Sequence, residues 1–177
     1  PKIFNLLQIR PIVENEQTDD FPWDEVDKSE CILYSDSALG HGQLENIRDF
    51  VYVMPRKFNP AHTQQMALEV EKINTIYQEE KRNYVLVGPG RWGSSDPWLG
   101  IPIKWSQISE ARVIVESGLE NFRIDPSQGT HFFQNLTSFR VGYLTINPFM
   151  DDGLFDLEYV RSLPTYYETE HVRCVRF

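Results

Sequence analysis

The sequence predicts an α+β fold, with a mixed, largely antiparallel sheet, one long helix and several short ones. Three observations lead there. β-prone apolar runs recur from one end of the chain to the other. A single long stretch, residues 59–81, has apolar residues at helical spacing. Strand and helix signals then intermix without a regular βαβ repeat, which favours α+β over a doubly wound sheet.

At 177 residues the chain suits one domain, or a domain with a short arm. Its 41% hydrophobic content, with 13% aromatics, can build a core. No apolar run approaches the roughly 18 residues that a membrane helix needs, so a cytoplasmic protein without membrane contact is expected. Cys31 and Cys174 are far apart and lack metal-ligand spacing, which favours reduced thiols over a disulfide scaffold.

The elements follow in order. "IFNLLQIRPIV" (3–13) reads as a strand that Pro11 places at an edge or an end. Residues 14–30, "ENEQTDDFPWDEVDKSE", hold eight acids and one lysine, so −7 of the net charge of −9 lies in this segment. It reads as a solvated acidic linker, and the near-balanced remainder disfavours nucleic acid as a partner. Strands are expected at 31–35 and 50–54. In "NPAHTQQMALEVEKINTIYQEEK", Asn59 can cap, Pro60 suits the first helical position, and Met66, Val70, Ile73 and Tyr77 form an apolar stripe. "YVLV" (84–87), "ARVIVES" (111–117) and "RVGYLTIN" (140–147) read as strands. "THFFQNLTS" (130–138) and "DLEYVRSL" (156–163) read as short helices, and "HVRCVRF" (171–177) alternates as a terminal strand.

"GPGRWGSSD" (88–96) can be read in two ways. As an anion site, Gly88, Gly90 and Gly93 would turn amides toward phosphate or carboxylate oxygens, Arg91 would offer a fork, and Ser94 and Ser95 would add donors. As a rigid turn, glycines and prolines would fix the backbone while Trp92 and Trp98 anchor it by packing. It is neither a Walker A loop nor a G-x-G-x-x-G motif. His131, in "SQGTHFFQNL", joins the candidate anion-binding set, with a capping or core histidine as its alternative. His41 reads as a turn residue, His62 as solvated in the first turn of the long helix, and His171 as salt-bridged. Asp151 and Asp152 could ligate a cation, though a turn before Gly153 is the preferred reading. No H-x₃-H or C-x₂-C spacing occurs, so no metal site is expected. No nucleophile–base signature such as G-x-S-x-G is present, and no catalytic residue can be named.

"LLQIRPI" resembles the closing ATP-grasp strand of phosphoenolpyruvate synthase and pyruvate phosphate dikinase, where L-Q-x-R-P recurs. Three longer stretches, 37–55, 84–109 and 126–147, resemble the C-terminal region of bacterial proteins classed with that pyruvate/phosphoenolpyruvate-binding family. By position, the resemblance implies that Gln8 and Arg10 lie beside the nucleotide phosphates in the parent protein. A guanidinium there would neutralise charge that moves in phosphoryl transfer. It further implies ATP and Mg²⁺ for the parent, none for this segment, and an upstream ATP-grasp domain as partner.

The family's T-S-H triplet is missing, and the pyruvate-binding barrel has no counterpart. The expectation is therefore a C-terminal fragment of an ATP-dependent phosphotransferase, inactive alone. It would comprise a last ATP-grasp strand (1–13), a linker (14–30) and an α+β module (31–177). The alternative is a noncatalytic module that senses an anionic small molecule or docks on the catalytic domains. The residues leave open whether the chain is itself an enzyme.

Overall fold

The computed structural model describes residues 26–40, 43–122 and 141–177. The expected strand at 3–13, most of the acidic linker and the expected helix at 130–138 lie outside them. Of the linker, Asp27 caps a short 3₁₀ turn, Lys28–Glu30, by accepting from the Ser29 amide at 2.8 Å.

The strands are β1 (Leu33–Tyr34), β2 (Ser37–Leu39), β3 (Asp49–Val53), β4 (Tyr84–Pro89), β5 (Arg91–Trp92), β6 (Gly100–Ile101), β7 (Ala111–Ser117), β8 (Gly142–Ile146), β9 (Leu154–Phe155), β10 (Thr165–Glu168) and β11 (Val172–Arg176). The helices are α1 (Thr63–Glu80) and α2 (Leu157–Ser162). Seven strands form one sheet in the order β10-β11-β3-β4-β7-β8-β2. The α+β class with a mixed sheet therefore holds.

Its antiparallel ladders are the flanks: β10–β11, β11–β3 and β8–β2. The three central ladders, β3–β4, β4–β7 and β7–β8, are parallel. The antiparallel share is thus half of the sheet's pairings. Parallel strands here are covered on both faces, and β3 is buried at all five positions. A connection between parallel strands must cross over. α1 makes the first crossover, while the second runs through β5, β6 and the 3₁₀ turn Trp105–Gln107. With no α-helix in that second crossover, the sequence shows no βαβ period.

Register aligns one row of side chains across the sheet: Cys174, Val51, Leu86, Ile114 and Tyr143. That face packs against Met66, Ala67, Val70, Ile73 and Tyr77 of α1, and against Trp92, Ile101 and Ile108 of the second crossover. The opposite face presents Phe50, Tyr52, Val87, Val115 and Val175 to Val160 and Leu157 of α2 and to Leu33 and Phe155 of the β1–β9 pair. The two-residue periodicity of strands thus sorts one chain into two cores, giving three layers.

α1 begins where Asn59 accepts from the Ala61 amide at 3.0 Å, ahead of the 3₁₀ turn Pro60–His62. It ends with Lys81 in the left-handed region at φ 54°, and the Arg82 amide reaches back to the Tyr77 carbonyl at 3.0 Å. This is a Schellman-type end with lysine where glycine is usual. At the N-terminal end of β3, buried Asp49 accepts from Arg176 at 2.8 Å and also pairs with Arg82, tying three elements together.

Candidate functional site

The loops after β3, β4 and β7 gather at one edge of the sheet, outside the C-terminal ends of the parallel strands. In open α/β sheets ligands bind at that edge. Phe58, after β3, meets Phe122, after β7, with ring centroids 4.8 Å apart. The glycine loop after β4 lies beside them.

That loop is built into the sheet. The Trp92 amide donates to Glu116 Oε1 at 3.0 Å, and its indole Nε1–H donates to the Val115 carbonyl at 3.0 Å. Tyr143 donates its hydroxyl to Glu116 Oε2 at 2.6 Å. Glu116 and Trp92 are both buried. Gly88 faces the same side as Glu116, and a Cβ on it would lie 2.2 Å from the Trp92 ring. Only glycine lets the indole lie there. A Cβ on Gly100 would lie 1.9 Å from the Arg91 carbonyl oxygen, where β5 and β6 run side by side.

The amides expected to face an anion have other partners. Gly90 donates to the Ser117 carbonyl at 3.1 Å, Arg91 to Leu99 at 2.8 Å and Gly93 to Ile101 at 2.8 Å. The Ser94 hydroxyl donates to the Asp96 carbonyl at 3.1 Å. A cradle of glycine amides is therefore not what this backbone offers. An anion at this loop would meet side chains instead, namely the half-buried Arg91 and the exposed Ser95 hydroxyl. The packing expected of a rigid turn holds for Trp92, whereas Trp98 is 72% exposed. Asp151, at φ 54°, and Gly153 form a turn closed by paired backbone bonds between Asn147 and Asp152. Gln8, Arg10, His41 and His131 lie outside the described residues.

A second constellation lies at the same edge, beside β3. Glu69 of α1 is buried and accepts four hydrogen bonds: the Thr169 hydroxyl at 2.5 Å, the His171 amide at 2.9 Å, His171 Nδ1 at 2.9 Å and Gln65 at 3.3 Å. Burial pushes the Glu69 carboxyl up, but the bonds from Thr169 and His171 outweigh it and hold the group below its ordinary range. A carboxylate beside Nδ1 favours the tautomer with its proton on that nitrogen, in which Nε2 is the acceptor of the ring. That Nε2 lies 3.4 Å from Nδ1 of the exposed His62. Glu170 is adjacent, and oxygens of both glutamates come within 4.8 Å of a His171 ring nitrogen.

His171 does pair with an acid, but the carboxylate hydrogen-bonded to its ring is Glu69, 102 positions away. Long separation hid this constellation from spacing rules. One local signal was available: Glu69 borders the apolar stripe of α1, where an acid needs a partner. Cys174 is buried and its thiol is pushed well up by burial, as an unreactive packing residue would be.

Compared with family models, curated proteins and solved structures, the chain has no match in any of the three. No described helix is long and apolar enough to cross a membrane.

Proposed function

We propose that this chain is the C-terminal part of a cytoplasmic ATP-dependent phosphotransferase resembling phosphoenolpyruvate synthase. Gln8 and Arg10 would serve the upstream ATP-grasp site, with ATP and Mg²⁺ bound there. The observation that carries this reading is the "LLQIRPI" stretch, joined to three longer family-like stretches spread between residues 37 and 147. The 84–109 stretch supports it further, because its loop lies at the C-terminal ends of parallel strands, with Arg91 half-buried among loops that meet there. Arg91 would hold a phosphate or carboxylate group by its guanidinium fork.

The test compares wild type and Arg91→Ala in the full 177-residue chain, titrated with phosphoenolpyruvate, ATP and sulfate. Weakened anion binding is the expected result. A lowered melting temperature with no change in binding would overturn the anion role of Arg91. Joined to its upstream domain, the chain should bind ATP in a manner that Arg10→Ala weakens, whereas residues 1–177 alone should not turn ATP over. Robust Mg²⁺-dependent turnover by the isolated chain would contradict the reading.

The second reading, a noncatalytic sensing or docking module, is favoured by a specific observation. The loop amides are engaged within the fold and Trp92 is locked to Glu116, as in a scaffold that presents side chains. Binding of a metabolite by the isolated chain, with no effect of the upstream domain, would select it.

A further inference from the structure

We propose that His62 and His171 form a binding site for a divalent transition metal such as Zn²⁺, with Glu69 orienting His171 from behind. The site uses none of the residues assigned above to the nucleotide or the anion, and its test is independent of theirs.

The first argument is geometric. Two nitrogens that each lie about 2.0–2.1 Å from a tetrahedral zinc are about 3.4 Å apart. His171 Nε2 and His62 Nδ1 are 3.4 Å apart, long for a hydrogen bond between two rings and right for two ligands of one ion. The rings stand edge to face, with centroids 5.4 Å apart and planes at 75°.

Proton bookkeeping gives the second. Metal-bound histidine typically donates its other ring N–H to a carboxylate, which sets the tautomer and raises the basicity of the ligating nitrogen. Glu69 does this to His171 at 2.9 Å, and its own oxygens are fixed by Thr169 and the His171 amide. The His171 carbonyl accepts from the Met54 amide at 2.8 Å, so the ligand is held from its backbone as well.

Access is the third. His171 is buried, but His62 is exposed at the end of the Pro60–His62 turn, so an ion can enter from solvent. The turn is itself fixed, since the His62 amide donates to the Asn59 carbonyl at 2.8 Å. Two imidazoles select Zn²⁺, Cu²⁺, Ni²⁺ or Co²⁺ over the Mg²⁺ expected at a nucleotide. The remaining coordination positions would take water or a small anionic ligand.

The experiment uses the whole 177-residue chain, without an affinity tag and stripped with chelator, titrated calorimetrically with ZnCl₂ at pH 7.5. The visible band of CoCl₂ provides a second readout. One equivalent should bind. His62→Gln should weaken binding at least tenfold without moving the melting temperature in chelator, because its side chain is exposed and its backbone turn is kept by Asn59. Glu69→Gln leaves both ligands in place and should weaken binding about 10–100-fold through loss of orientation. Absence of binding by either metal would overturn the proposal, as would His62→Gln binding like wild type.

Discussion

The backbone amide of Trp92 donates to the side-chain carboxyl of Glu116 at 3.0 Å, so the chain leaving β4 is held by a buried acid on the neighbouring strand. The second oxygen of that carboxylate receives the Tyr143 hydroxyl, which extends the connection to β8. One buried acid thus joins the loop to two parallel strands.

Glu116→Ala should therefore destabilise the protein by about 3 kcal/mol, because two buried donors lose their acceptor. Tyr143→Phe should cost about 1–2 kcal/mol, since it removes the buried hydroxyl that donates to Glu116. Urea unfolding of both variants measures these values. A loss below about 1 kcal/mol for Glu116→Ala would show that the loop is held by packing alone.

The glycine loop makes a steric prediction. Gly100→Ala places a Cβ against the Arg91 carbonyl, and the backbone there must move. The expected cost is about 3 kcal/mol, at the upper end of ordinary overpacking. Gly88→Ala should act similarly and also shift the Trp92 fluorescence, because the indole has to leave its place over the strand.

At the end of α1 the direction is reversed. Lys81 holds a left-handed conformation that costs a non-glycine residue about 1 kcal/mol. Lys81→Gly should raise stability by roughly that amount, and its midpoint of urea unfolding gives the answer.

Alkaline pH should destabilise the fold. Burial raises the Tyr77 hydroxyl and the Cys174 thiol above their ordinary values of 10.0 and 9.0, and burial also raises Tyr84. These groups are neutral when protonated, so the folded state keeps its protons to higher pH than the unfolded state does. Their stabilising contribution is full below about pH 9 and falls as pH rises above it. Urea unfolding at pH 7 and pH 10.5 should show this decline, and Tyr77→Phe should reduce it. By the same physics Cys174 should resist alkylation until the protein unfolds, while half-buried Cys31 reacts first.

Much of the architecture was legible where local chemistry decides it. Asn59-Pro60 and the stripe Met66, Val70, Ile73 and Tyr77 marked α1, and "ARVIVES" marked β7 to the residue. Strand direction was less legible, because the crossover between β4 and β7 is made of short strands and a 3₁₀ turn that carry no period. The glycine loop announced itself by composition, yet the role of Glu116 in holding it depends on a separation of 24 residues. The Glu69–His171–His62 constellation was hidden more completely. Histidine spacing finds sites within one element, whereas here α1, the turn before it and the residue preceding β11 converge only once the sheet is formed.

β11 lies between β10 and β3, although α1, β4, β7 and β8 all come before it in the chain. During synthesis one hydrogen-bonding edge of β3 therefore stays bare while most of the molecule is assembled around it. A bare edge on a strand this apolar invites pairing with another nascent chain. Anything that delays the docking of Val172–Arg176 would prolong that state, and the yield of soluble protein should fall with it.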